Sequence, residues 1–368
     1  MDKFAVIFLP DAGERVIKNH PVLKRLPKKV AKKCLPYLSA QKTGLILDKG
    51  NQEDLGFLID VPGFFIDWDL NGEDSRLNIV RKLAKSLKKW NCPVLGFPLF
   101  YHYLNEEECI LLENEGIILL DGFHHHLAGL LLVVKQLLLI AEKDVPQFEI
   151  GVWGADTDIG QVWVEYMASV VNRMCIGGHN YRELEELSDF ILKSTGLACQ
   201  ITTKPEVCMR GKDLTIIADN MDASFCMRQT GLHIYSLPEY KLSGQVNSVK
   251  RTSNSIQWHP IDMAWMNLPR ELKADQELHP YEQLGVMATL FYSISSVYRE
   301  GILNRRITLD RMNQLHSLYK LLDLKPQGFV RDGQRIHFDR FRREYFAKNE
   351  LDKSSDYNYN TREQNSKS

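Results

Sequence analysis

The residues best suited to chemistry in this sequence form the run Gly154-Ala155-Asp156-Thr157-Asp158-Ile159-Gly160. A β-rich stretch, Glu149–Trp153, precedes it, and an amphipathic stretch, Gln161–Val170, follows directly. A strand that turns sharply into a helix leaves the first N–H groups of that helix unpaired. Together with the positive end of the helix dipole, those donors suit a pyrophosphate. Glycine is needed where the turn is tight and where the backbone must approach phosphate or strand closely. Gly154 takes the turn and Gly160 the helix–strand contact, while the middle position is Thr157, flanked by Asp156 and Asp158. The threonine hydroxyl can donate to a phosphate, although its side chain narrows the approach. The same two glycines also serve a tight connection in a sheet that binds nothing.

A second strand pattern, Arg173–Ile176, ends at Gly177-Gly178-His179-Asn180, with Arg182 shortly after. An acidic residue there favours NAD and a cationic one NADP. His179 or Arg182 suits a 2′-phosphate, so the expected cofactor is NADP or NAD, with NADP favoured. The fourth strand pattern, Asp213–Asp219, brings Ala218, Asp219 and Asn220 to the position where such sheets meet a nicotinamide, or simply closes in a turn. The run His124-His125-His126 offers imidazoles that suit a substrate carbonyl or a metal, or that simply face solvent or cap the helix. Adjacent helical residues point in different directions, so no metal site is expected from the three. Seven cysteines, with no CxxC pair, argue against a zinc or disulfide framework. Cys226, just past the fourth strand, is the candidate nucleophile, whereas Cys175 and Cys208 fall in patterns expected to be buried.

These groups need a scaffold, and the chain is long enough for one. Its 368 residues are 44% hydrophobic and 25% charged, which suits about two globular domains at ~150 residues each. Lys plus Arg number 46 against 47 Asp plus Glu, a balance that argues against a dedicated nucleic-acid partner. The N-terminal apolar run, Phe4–Leu9, is too short for a secretory signal, and Leu127–Ala141 is too short for a membrane span. A cytoplasmic protein is therefore expected. Residues 76–90 place Leu77, Ile79, Val80, Leu83 and Leu87 at helical spacing. Stretches 93–100 and 116–122 read as buried strands, followed by an apolar helix from about His125 to Glu142. From Glu149 to Asp219, strand and helix alternate, which is the pattern of a parallel sheet with right-handed crossovers. Helices are expected over about 280–300 and 309–322, the second capped by Thr308. Residues 223–275 carry no clear pattern.

The expected class is α/β. An irregular N-terminal α/β domain (1–145), on the substrate side, precedes a Rossmann-like parallel-sheet domain (146–275). A C-terminal helical region (276–348) and a disordered tail (349–368) follow. The basic cluster Lys24, Arg25, Lys28, Lys29, Lys32 and Lys33 reads as a solvated helix face or as a dock for an acidic carrier protein.

Four stretches resemble the long-chain acyl-carrier-protein reductases. EIGVWGADTDIGQVWVEYM resembles the nucleotide turn of that family, whose motif reads GATGDIG. HHHLAGLLLVVKQ (124–136) resembles its THTA-containing helix, with His126 nearest the family's histidine and so implied as the general acid or orienting group, and DLTIIADN (213–220) resembles its fourth Rossmann strand. Residues 279–326 resemble its C-terminal helical pair, including the ITxDxM element at Ile307–Met312. The resemblance spans roughly 75–326 and extends more loosely to shikimate-dehydrogenase-like and glutamyl-tRNA-reductase-like proteins. It implies hydride transfer from a nicotinamide cofactor to a carbonyl or acyl substrate, free or bound to a carrier protein. Two positions depart from the pattern. The family's middle glycine is Thr157, and the cysteine that attacks the acyl thioester is matched by Met287, whose thioether cannot accept an acyl group. Reduction of a ketone or aldehyde needs no such cysteine. The alternative is a non-catalytic Rossmann module that binds or senses a ligand, and a weaker one is a site re-used for S-adenosylmethionine.

Overall fold

The computed structural model describes residues 3–7, 14–50, 53–62, 72–98, 104–141, 144–219, 231–237, 258–303, 307–331 and 334–343. The chain divides into two compact units, one comprising residues 1–126, 268–306 and 314–324 and the other the remainder.

The first unit is built on a six-stranded mixed sheet. Its strands are β1 (Phe4–Ile7), β2 (Gln41–Asp48), β3 (Asp54–Asp60), β4 (Val94–Gly96), β5 (Ile118–Leu120) and β13 (Leu272–Ala274). They lie in the order β13-β2-β3-β1-β4-β5, with β3, β1, β4 and β5 mutually parallel. β1 is apolar at every position because both of its faces are covered. Ala5 and Ile7 pack with Ile79, Val80, Leu83 and Leu87 of α3 (Gly72–Lys89), the apolar stripe that the spacing predicted. On the other face lies α9 (Pro280–Ile294), where a side chain at Gly285 would come within 2.7 Å of Val6 Cγ1. α4 (Glu106–Asn114) is tied to α3 by a bidentate pair, Arg76 Nε to Glu108 Oε1 (2.8 Å) and Nη2 to Oε2 (2.9 Å). Glu108 is fully buried and also accepts from the Asn105 N–H, so its charge is compensated on two sides.

The second unit contains a six-stranded sheet with every neighbour parallel. Its strands are β6 (Glu149–Trp153), β7 (Arg173–Gly177), β8 (Gln200–Thr202), β9 (Leu214–Ile217), β10 (Gly231–Tyr235) and β11 (Trp258–Ile261). The order β11-β10-β9-β6-β7-β8 is the doubly wound Rossmann order, in which the first strand and the fourth are neighbours. The crossovers within the first half are α6 (Asp158–Ala168), α7 (Tyr181–Thr195) and the short α8 (Pro205–Met209). β6 from Ile150 on and β9 throughout are buried, and apolar apart from Thr215, as suits strands covered on both faces. A separate antiparallel sheet joins β12 (Met263–Met266), β14 (Pro326–Arg331) and β15 (Gln334–His337).

The helix α5 (Phe123–Ile140) is long and apolar enough to cross a membrane by length and composition, but 67% of that window is buried inside the protein. It is a core helix. α10 (Ser296–Leu303) and α11 (Leu309–Leu321) complete the C-terminal helices, and the Thr308 hydroxyl accepts from the Arg311 N–H (3.4 Å), the cap expected from the sequence.

Candidate functional site

In open parallel sheets, ligands bind at the carboxyl ends of the strands where the winding reverses. Here that point lies between β6 and β9, with β7 on the other side of β6. Gly154 leaves β6 with φ +82°, a conformation costly for any residue with a Cβ, and its own Cβ would fall 2.6 Å from that of Asp219. The N–H groups of Gly154 and Ala155 both donate to the Gly177 carbonyl (2.8 and 2.9 Å), which stitches the turn to the end of β7. A Cβ on Gly160 would lie 1.9 Å from the Gly154 carbonyl oxygen, so α6 approaches the turn as closely as backbone allows.

Thr157 is the N-cap of α6. Its hydroxyl donates to the Gly154 carbonyl (2.7 Å) and accepts from the Gly160 N–H (3.1 Å). The hydroxyl is therefore occupied within the turn, and so is one of the N–H groups a phosphate would use. Asp158 and Ile159, at the first two helical positions, retain N–H groups with no acceptor in the helix.

Asp156 does something its place in the sequence does not suggest. Its carboxylate crosses to the end of β7, where Oδ2 accepts from the N–H groups of His179 (2.7 Å) and Asn180 (2.8 Å). Gly178 makes room for it, since a Cβ there would lie 2.1 Å from Asp156 Oδ1. Asn180 in turn caps α7 by accepting from the Glu183 N–H. Arg182 extends along α7 to Glu186 Oε1 (3.0 Å).

His179 Nε2 lies 3.2 Å from Asp219 Oδ2, and its ring stands edge-on to Trp153 at 5.4 Å. Because β6 separates β7 from β9, this pair spans the end of β6 and passes over the glycine turn. The His179 side chain is 70% exposed and that of Asp219 25%. Ala218 is buried, with its N–H on the Trp153 carbonyl (2.8 Å). One place thus holds Gly154, Ala155, Asp156, Thr157, Asp158, Ile159, Gly160, His179, Asn180, Ala218 and Asp219. Three carboxylates and one imidazole border it. Asn220 and Cys226 lie outside the described residues.

His126 belongs to the first unit, where it is fully buried with its ring 5.9 Å from that of Phe123. Its neighbour His125 is held more specifically. His125 Nδ1 is 2.8 Å from the Tyr319 hydroxyl, and its ring packs against Phe291 (4.8 Å) and Tyr298 (5.0 Å). Burial, with a smaller effect of His124, pulls its pKa down to about 3, so this imidazole is neutral. Its Nε2 has no hydrogen-bond partner among the described residues. Burial also pushes the phenols of Tyr298 and Tyr319 upward, so both stay protonated. Met287 is buried on α9. Among the described residues no group of His, Cys, Asp and Glu is arranged to hold a metal ion. Cys175 and Cys208 are buried, as their patterns suggested.

No family model and no curated protein matches the sequence. Among solved structures the chain is similar to L-tryptophan dehydrogenase from Nostoc punctiforme, at 10% identity and a TM-score of 0.30, covering 63% of this chain and 61% of that one. It is also similar to ornithine carbamoyltransferase from Campylobacter jejuni, at 10% identity and a TM-score of 0.26, covering 60% and 63%. Phosphoglycerate oxidoreductase from Vibrio cholerae matches at 11% identity and a TM-score of 0.26, covering 64% and 75%. The chain thus spans about three fifths of the length of the first two. Likeness at this level identifies no family.

Proposed function

We propose that this chain binds a nicotinamide dinucleotide at the carboxyl ends of β6, β7 and β9 and acts as an oxidoreductase on a carbonyl or acyl substrate. The observation that carries this reading is the Gly154–Gly160 turn at the reversal point of a Rossmann-ordered sheet. Gly154 and Gly160 let the turn, Asp219 and α6 pack backbone to backbone, and the N–H groups of Asp158 and Ile159 at the start of α6 are the donors that fit a phosphate oxygen. The cofactor supplies the hydride, while the protein binds, orients and delivers or receives the proton. His179, paired with Asp219, is the imidazole that borders the turn and is suited to that proton.

Asp156 bears on the choice of cofactor. Its carboxylate lies beneath His179 and Asn180, which sets negative charge beside the position a 2′-phosphate would occupy. Arg182 is engaged with Glu186. These two features favour NAD, against the preference for NADP that His179 and Arg182 suggest from sequence alone.

A second reading, a ligand-binding module without turnover, is favoured by one observation. Met287 is buried where the resemblance expects an acyl-accepting cysteine. Titration of the purified chain with NADH and NADPH, followed by nucleotide fluorescence and melting temperature, tests both readings. A ligand that binds only the folded state stabilises it by ~2.7 kcal/mol at a hundredfold excess over Kd. Saturable binding with NADH the tighter of the two is expected. Binding without oxidation of NADH by any aldehyde, ketone or acyl thioester establishes the second reading, and no binding at millimolar nucleotide overturns the first.

A further inference from the structure

The N-terminal helical segment of the first unit carries a strongly cationic surface. α1 (Glu14–Asn19), a 3-10 turn (Leu23–Arg25), α2 (Lys28–Cys34) and a second 3-10 turn (Leu35–Tyr37) enclose a small core of Val16, Ile17, Leu23, Ala31 and Leu35. Ala31 and Leu35, four residues apart, face that core, so the other faces of α2 point outward. Outward lie Lys24, Arg25, Lys28, Lys29, Lys32 and Lys33, all exposed. No Asp or Glu occurs from residue 15 to residue 47, in a chain whose net charge is −1. α2 has no side-chain cap and no acidic residue in its first turn.

Charge is only half of the feature. Three apolar side chains stand exposed among these cations: Val22 at 59%, Val30 at 46% and Tyr37 at 78%. Lys82 of α3 donates to the carbonyls of Pro36 and Tyr37, which holds the tyrosine-bearing turn in place. A bilayer uses both kinds of side chain, because lysine heads meet anionic phosphates while apolar and aromatic side chains enter the headgroup–acyl boundary.

We propose that this surface docks the protein, as a peripheral and reversible contact, on membranes that display anionic phospholipid. The inference does not rest on the function proposed above. Each cation near such a surface strengthens binding about fivefold, and screening at about 1 M salt removes most of that gain.

The test is co-sedimentation of the full chain with vesicles of phosphatidylcholine alone and of equal parts phosphatidylcholine and phosphatidylglycerol. Binding to the anionic vesicles only, released by salt, is the expected result. Replacing Lys28, Lys29, Lys32 and Lys33 by Gln should weaken binding by about a hundredfold or more. The pair Val22→Ser and Tyr37→Ser should weaken it several-fold and leave its salt dependence intact. All six positions are exposed, and circular dichroism checks that the fold persists. Failure to sediment with anionic vesicles overturns the proposal, including when polyglutamate or duplex DNA is bound instead. Unchanged vesicle binding of the Val22/Tyr37 variant also overturns it.

Discussion

His125 is the residue whose surroundings make the sharpest demand on pH. Its imidazole titrates near 3 in the folded protein because it is buried, against about 6.5 in an unfolded chain. Between those values the unfolded state binds the extra proton, so stability rises with pH across that window. It is complete above about pH 6.5 and falls on acidification by about 1.4 kcal/mol per pH unit. Urea unfolding at pH 7 and pH 5 is expected to show this loss, and His125→Phe to show less of it. The partner was not legible in the sequence. His125 and Tyr319 lie 194 positions apart, and no local pattern pairs them. The family resemblance singles out His126 within the histidine run, whereas the imidazole that meets a phenol is that of His125. Asp156 carries the same lesson. It reads as one of two acids flanking a turn, while its actual partners, the N–H groups of His179 and Asn180, belong to the next strand's end.

At the scale of elements, the glycine turn gives the clearest forecast. Thr157 caps α6 and takes up the Gly160 N–H. Thr157→Gly should cost only a few tenths of a kcal/mol of stability, since glycine is itself tolerated at an N-cap. It should at the same time release a donor and open the approach to the turn. Dinucleotide affinity is therefore expected to rise, as read by fluorescence titration of wild type and variant side by side. Elements of this kind were legible because their signals are local. β6 spans Glu149–Trp153 as read, and α7 begins at Tyr181, since β-rich runs and capping residues mark their own ends. β10 and β11 escaped notice. Their stretch alternates poorly, and their place in the sheet is set by neighbours β9 and β10 rather than by their own pattern. The expected helix over 280–300 is two, α9 and α10, with the break at Ser295.

For the whole molecule, the path of the chain matters most. The first unit draws on residues 268–306 and 314–324 as well as on the N-terminal segment. A fragment ending at residue 267 lacks α9 and β13, which leaves one face of β1 and β4 and the edge of β2 uncovered. Limited proteolysis of that fragment should cut within residues 1–126 while sparing the stretch from β6 to β9, and the fragment should bind apolar dyes that intact protein does not. The same path imposes an order on manufacture. A ribosome releases all six strands of the parallel sheet by residue 261, whereas β1, at residues 4–7, waits for α9, which begins only at residue 280. Such distant pairing is slow to form and leaves apolar surface open in the meantime. β1 thus stays half-covered long after its own sheet partners are made, and it is the strand for which a chaperone would have most use.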